Sequence, residues 1–397
     1  MTYREDFTLP AELMERVSKQ GFDILPELIQ VIINAAMQAE RQQYLKAEPY
    51  QHTEEREGHA NGYKPKTVHT RVGNITFSIP QVREGGFYPE ALEKGLRSER
   101  ALLLALAEMY VQGVSTRKVK TVTEKLCGVA MSSTQVSHAA ALLDTELEKW
   151  RTRPIGEYPF LFLDAYYEQV REDGQVRHLA VLSAVGVNLD GKREILGVSV
   201  ALSEHEVHWR AFLESLKARG LGEVQLITSD DHAGLRAARL AVFGSIAWQR
   251  CQFHLQQNAQ AYVPRKDMQA EVAEDIRTIF NAPDRTTADA YLAKAVEKYR
   301  KTASRLAEWM AVNIPEGLTV FSFPTAHRRL TPALAAGASV RTTNGVERLH
   351  REVRRRARVV SIFPNPASCL RLASAVLAEI SDEWLTGRTY FSFHGSE

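Results

Sequence analysis

The sequence predicts an α/β protein: a mixed β-sheet carrying an all-helical insertion, preceded by a mainly helical N-terminal region. Three observations predict it. From Tyr158 onward, short apolar runs bounded by turn and helix signals follow one another as strand, strand, strand, helix, strand, helix, strand. Residues 255–338 then lose the strand pattern and read as polar helices. Residues 97–150 carry repeated helix-capping signals.

A chain of 397 residues is long enough for two or three domains and a sizeable core. Its 44% hydrophobic and 25% charged residues are those of a soluble globular protein. No run approaches the roughly eighteen apolar residues of a membrane span, and the start, MTYREDFTLP, lacks a signal peptide's apolar stretch. A cytoplasmic protein without membrane contact is therefore expected. Cys127, Cys251 and Cys369 are far apart and form neither a CxxC pair nor a disulfide framework.

Residues 1–50 read as a helical segment, with Leu13 and Val17, then Leu25, Leu28, Ile29, Ile32 and Ile33, at helical spacing and Pro26 in a first turn. Residues 51–95 form a small β and loop region and a candidate for DNA contact. Thr67–Val72 and Ile75–Ile79 are paired around Gly73-Asn74, and His52, His59 and His69 are read as loop histidines. Residues 96–152 suggest a helix-turn-helix. Ser115 caps a helix running to Leu126, with Val114 and Val119 as its staple and Gly128 as its stop. Ser132-x-x-Gln135 is a capping box opening a helix toward Trp150. Were this a DNA reader, Gln135 and His138 would meet base edges, with Arg117 and Lys118 on the preceding helix as further contacts.

The sheet begins in residues 153–254. Tyr158–Glu168, Val176–Asn188 and Lys192–Leu202 are strands, the last two joined through the hairpin signal Asp190-Gly191. A helix over Ser203–Arg219, a strand over Val224–Asp230, a helix over His232–Phe243 and a strand over Ile246–Phe253 complete the order of a ribonuclease H-like fold. Residues 255–338 are the helical insertion. Residues 339–397 return to the core with two helices, the last over Pro366–Trp384.

The first of these, within RTTNGVERLHREVRRRARVVSIFPN, is unusually basic. Seven arginines against two glutamates give residues 341–358 a net charge of +5, whereas the whole chain carries +2. Such a localised charge is either a solvated helix face or a surface for a polyanion, most often nucleic acid. The arginines are Arg341, Arg348, Arg351, Arg354, Arg355, Arg356 and Arg358, and they surround one acid, Glu347. A carboxylate among phosphate-binding cations makes sense where it holds a metal ion that itself sits on a phosphate.

Asp164 and Asp230 are its expected partners. Asp164 interrupts the apolar strand FLFLDAYY, a costly place for a carboxylate unless it is paired or on a cation. Asp230 ends the fourth strand beside Asp231, which competes with it. Three carboxylates suit Mg²⁺ or Mn²⁺, and two such ions about 3.5–4 Å apart serve in-line displacement at phosphorus. The structural alternatives are a core polar network for Asp164, an N-cap for Asp230 and a capping box from Asn344 for Glu347. Cys251 and His254 form a CxxH pair, too few ligands for zinc, and are expected to support the site.

In its ordered motifs the chain resembles a bacterial insertion-sequence transposase of the Mutator-like family. The resemblance rests on GHANGYKPKTVHTRVG and VREGGFYPE, MYVQGVSTRKV and MSSTQVS, LDAYYEQVR, SDDHAGL, CQFH and TTNGVERLHREVRRRARVVSIFPN, and covers nearly all of the chain. It implies that Asp164, Asp230 and Glu347 are a DDE metal-binding triad, with Asp230 preferred over Asp231 because the family's acid directly follows Ser229. It implies cleavage of double-stranded DNA at terminal inverted repeats, freeing a 3′-hydroxyl, and strand transfer into target DNA. Two divalent ions, a homodimer on DNA and a nucleoid location follow as expectations. His350 stands where many members have asparagine, so no role is carried onto it. A DNA-binding protein without catalysis and a structure-specific nuclease of the same fold are the alternatives.

Overall fold

The structure, a computed structural model, describes residues 11–387 apart from 50, 52–53, 84–85, 96 and 325–339, together with residue 390. The chain divides into two compact units between Leu142 and Leu143.

The N-terminal unit opens with α1 (Ala11–Gln20) and α2 (Leu25–Leu45), Pro26 lying in the first turn of α2 as its fixed φ allows. An antiparallel hairpin follows, β1 (Ala60–Thr70) and β2 (Gly73–Val82), whose Val68, Ile75, Phe77 and Ile79 pack with Met37 of α2. Its turn is Arg71-Val72, not Gly73-Asn74. Thr70 pairs with Gly73, the Thr70 hydroxyl donates to the Gly73 carbonyl at 2.7 Å, and Gly73 takes a φ of 119° that suits only glycine. His69 is accordingly a strand residue, with Nδ1 at 2.6 Å from Asn74 Oδ1, while His52 lies outside the described residues.

The helices α3 (Arg100–Val111), α4 (Thr116–Cys127) and α5 (Ser133–Ala141) share a core of Leu102, Leu106, Val119, Met131 and Val136. The local signals act as expected: Ser115 accepts from the Lys118 amide, Gly128 takes a φ of 63°, and Ser132 and Gln135 cap each other. The helix expected to reach Trp150 is instead broken after Ala141, and α6 (Asp144–Thr152) starts anew in the second unit. Asp144 and Glu146 favour a helix N-terminus there, and Arg371 grips the Asp144 carboxylate with both nitrogens at 2.6 and 2.7 Å.

The second unit is built on a five-stranded mixed sheet, ordered β5-β4-β3-β6-β7. β3 (Phe160–Glu172), β4 (Gln175–Val187) and β5 (Arg193–Ala201) are antiparallel, while β6 (Leu226–Ser229) and β7 (Ala247–Arg250) run parallel to β3. Period-two alternation splits β3 between two faces. Leu161 and Leu163 join Trp209, Phe212, Leu213 and Leu216 of α7 (Glu206–Ala218) and Leu235 of α8 (Ala233–Phe243) in one core. Phe160, Phe162, Asp164 and Tyr166 share the other face, where β3 meets α13 (Asn344–Ala357) and α14 (Pro366–Thr386).

β7 ends at Arg250 rather than Phe253: the Cys251 amide makes the last bond to β6, and the next amide leaves the ladder. The Cys251 N–H goes to the Ser229 carbonyl at 2.8 Å and that of Gln252 to the Arg341 carbonyl at 3.0 Å. Helix α9 (Gln252–Ala259) starts at once and leads into α10 (Gln269–Phe280), α11 (Arg285–Tyr299) and α12 (Ser304–Asn313). These pack a separate core of Leu255, Val272, Ile276, Leu292, Leu306 and Met310. Among the described residues no helix is long and apolar enough to cross a membrane.

Candidate active site

Strand pairing sets the first two acids. In the parallel ladder Phe160, Leu161 and Phe162 face Leu226, Ile227 and Thr228. The same register carried two residues further brings Asp164 level with Asp230, just past the end of β6. The third acid arrives on α13, whose approach is tied to the same strand ends. The Thr228 hydroxyl donates to the Val340 carbonyl at 2.7 Å, and the Arg341 carbonyl accepts the Gln252 amide. The buried Cys251 Sγ receives both the amide and the hydroxyl of Thr343, each at 3.4 Å.

Those contacts remove the purely structural roles of two acids. Thr343, not Asn344, is the N-cap of α13, so Glu347 sits beyond the capping-box position and makes no such bond. The N-cap of α8 is His232, and Asp230 takes its own neighbour's amide, Asp231 N–H to Oδ1 at 2.7 Å. Asp231 is engaged elsewhere. Its carboxylate meets Arg236 at 2.6 Å and Arg250 at 3.2 Å, and both arginines also hold Glu316.

His254 stands between the remaining acids. Its Nε2 is 3.2 Å from Glu347 Oε1 and its Nδ1 3.9 Å from Asp230 Oδ1, close enough for charge attraction though neither is aligned as a hydrogen bond. Burial alone would lower its pKa, but Cys251 beside it and the charges of Asp230 and Asp164 raise it to about 9. The ring is therefore cationic at neutral pH. Asp164 is also pushed up, to about 7, chiefly by burial, which in a carboxylate favours the neutral form. His254 and the Ala165 amide oppose that rise, and Glu347 and Asp230 add to it. His350, three residues after Glu347 on α13, has Nδ1 at 3.5 Å from Asp164 Oδ2 and Nε2 at 3.1 Å from Ser183 Oγ. Burial, reinforced by Arg354, takes its pKa down to about 3, so this ring is neutral.

The donor set fits a hard divalent cation: carboxylate oxygens, one of which, Glu347 Oε1, is buried without a hydrogen bond, and a buried Asp164 whose ionisation a cation would favour. Among the described residues no three His, Cys, Asp or Glu side chains stand close enough to hold an ion as they are. The acids are neighbours without yet being a closed coordination shell.

Around the acids, α13 presents Arg348, Arg351, Arg354, Arg355 and Arg358 on exposed positions, and Arg354 lies over the Tyr166 ring at 5.1 Å. Arg356 differs from its neighbours: it is 6% exposed and paired with Glu352 at 3.0 Å and Glu379 at 2.6 Å, which turns it inward. In the N-terminal unit Arg117, Lys118 and His138 are exposed, and Gln135 uses its carbonyl oxygen in the capping box. Sequence reasoning set Cys251 and His254 beside the site in a supporting role but gave His350 none. The signal for His350 was spacing: Glu347 and His350 are three apart on α13 and so share a face.

The chain matches the family described as transposase, Mutator family, over residues 1–387. It is 56% identical over 378 residues to the transposase for insertion sequence element IS406 of Burkholderia multivorans, with 95% of each chain covered. It is 38% identical over 381 residues to that for IS1081 of Mycobacterium tuberculosis, covering 95% of this chain and 89% of the relative. Identity to the transposase for IS256 in transposon Tn4001 of Staphylococcus aureus is 34% over 398 residues, with 98% of each covered. Matched from end to end in this way, the chain belongs to the Mutator family of transposases.

Proposed function

We propose that this transposase is of the DDE type. In this reading it has a ribonuclease H-like core, cleaves DNA at terminal inverted repeats in a divalent-metal-dependent step, and transfers the freed 3′-hydroxyl into target DNA. The observation that carries the reading is that the register of the adjacent parallel strands β3 and β6, carried past the end of β6, brings Asp164 level with Asp230, while His254 stands between Asp230 and Glu347. The strand order, three antiparallel strands followed by two parallel ones, supports the core assignment.

Asp164, Asp230 and Glu347 would hold Mg²⁺ or Mn²⁺. Bound there, two such ions supply activation of the attacking oxygen and stabilisation of the leaving one. The chain's own residues do the rest. Cationic His254 offsets the repulsion between Asp230 and Glu347 and keeps them together. Arg348, Arg351, Arg354, Arg355 and Arg358 neutralise backbone phosphates without reading sequence. Arg356, buried and paired with two glutamates, is left out of that set, and Arg355, exposed but bonded to Glu352, joins it by releasing that pair. Sequence is read by α4 and α5 as a helix-turn-helix, with Arg117 and Lys118 on phosphates and His138 and the Gln135 amide nitrogen on base edges. Two ends must be brought together for strand transfer, so the protein acts as a homodimer on double-stranded DNA.

The test is an assay with duplexes carrying the ends of the surrounding element, a target plasmid and Mg²⁺. Cleavage that leaves a 3′-hydroxyl, joining of that end to the plasmid, and loss of both in Asp164→Ala without loss of DNA binding are expected. Binding without cleavage by the wild-type protein would leave only a DNA-binding protein, and cleavage without joining a nuclease.

A further inference from the structure

We propose that His350 is the positioning residue for Asp164: its Nδ1–H holds the carboxylate, and the Ser183 hydroxyl fixes the imidazole in the tautomer that makes this possible. The inference rests on the reading of Asp164 as a catalytic acid and goes beyond it.

Ser183 lies directly across the β3–β4 ladder from Asp164 and is wholly buried. Its Oγ is 3.1 Å from His350 Nε2, and on the other side of the ring Nδ1 is 3.5 Å from Asp164 Oδ2. Once ionised, as a bound cation requires, the carboxylate only accepts hydrogen bonds, so the nitrogen facing it must carry the hydrogen. A neutral imidazole has a single N–H, which leaves Nε2 as an acceptor, and a serine hydroxyl can donate to it. The opposite tautomer would set a lone pair against the carboxylate. The other oxygen, Oδ1, accepts the Ala165 amide at 2.9 Å, so both sides of the Asp164 carboxylate are directed.

The ring itself is well held. His350 is 4% exposed and packs on Tyr166 with centroids 4.4 Å apart. At 3.5 Å the approach of Nδ1 to Asp164 is not yet a formed hydrogen bond, and it becomes one as the carboxylate tightens on a ligand. Because His350 follows Glu347 by one turn of α13, a single helix delivers the third acid and orients the first. Glu347 and Asp164 are thereby set by one rigid element rather than independently.

The test compares full-length wild type with His350→Leu, His350→Asn and Ser183→Ala. Metal-free binding to element-end duplexes, cleavage rate, and Mn²⁺ binding read by EPR from loss of the free-ion signal are measured for each. DNA binding is expected to stay within about twofold, since none of these side chains reaches the surface. Mn²⁺ affinity should fall about tenfold or more in His350→Leu and in the same direction in Ser183→Ala, as outer-shell losses do. His350→Asn, whose amide nitrogen still donates while its oxygen still accepts, should retain most of it. Histidine ¹⁵N NMR should show ring 350 neutral and protonated on Nδ1. Unchanged Mn²⁺ affinity in both His350→Leu and Ser183→Ala, or protonation on Nε2, overturns the proposal. If His350→Leu fails to fold, Ser183→Ala and the tautomer decide alone. Wild-type protein that neither binds Mn²⁺ nor cleaves DNA overturns the DDE reading itself, a result distinguishable from loss of this positioning role.

Discussion

At the scale of single residues, Asp164 is a carboxylate held where it costs stability. Its folded pKa, raised to about 7, lies above the ordinary value, so the native state binds the proton more tightly than the unfolded chain. Ionised Asp164 therefore destabilises the fold, increasingly as pH rises from about 4 to 7. In metal-free buffer at pH 8, Asp164→Asn should raise the melting temperature by about 5 °C, and the gain should vanish near pH 4. Added Mg²⁺ should stabilise the wild type and not the variant, as a ligand of the native state does. Differential scanning calorimetry across pH reads all three effects. The cost was legible in the sequence, because an acid inside FLFLDAYY has no ordinary reason to be there. The choice between Asp230 and Asp231 was not legible from spacing. Arg236 and Arg250, which occupy Asp231, come from a helix and a strand, and the Glu316 they share with it comes from the distant end of the insertion.

At the scale of elements, α13 combines two kinds of charge. Glu352 is held down to about 2, foremost by the hydrogen bond from Arg355, with Arg356 adding to it. A depressed carboxylate stabilises the native state fully above its unfolded value near 4.5, and the effect is lost as pH falls through 2. Glu352→Gln should thus cost about 1 kcal/mol at pH 7 and less at pH 3, measured by urea unfolding. Arg351, exposed on the same helix, should act on DNA. Arg351→Ala should weaken binding similarly for all sequences and reduce the salt slope by about one. At the start of α8, Gly234 lies so close to the Glu204–Glu206 backbone that any Cβ would overlap it. Gly234→Ala should cost about 1–3 kcal/mol and disturb the segment that carries Asp230. Capping at Ser115 and Ser132 was legible because a cap needs only its own next three residues. The break after Ala141 and the early end of β7 were not, because Arg371 and Arg341, which hold the segments that follow, are remote in sequence.

At the scale of the whole molecule, the order of strands and helices could be read from apolar runs, while the register that levels Asp164 with Asp230 and the route that brings Glu347 beside them exist only in the folded sheet. The insertion lengthens that route without entering the sheet, since its helices pack a core of their own. It is tied to the sheet at its far end, where Gln249 and Gln252 both donate to the Gly317 carbonyl, at 2.7 and 2.8 Å, and Arg236 and Arg250 hold Glu316. The central claim is that three acids so far apart in the chain act on shared divalent ions. A crystal structure of the protein on its element-end DNA in Mn²⁺, with anomalous diffraction, tests this most directly. The account predicts anomalous peaks bounded by the carboxylates of Asp164, Asp230 and Glu347. Peaks absent from that position, with the three carboxylates bound to no ion while DNA is in place, would contradict it.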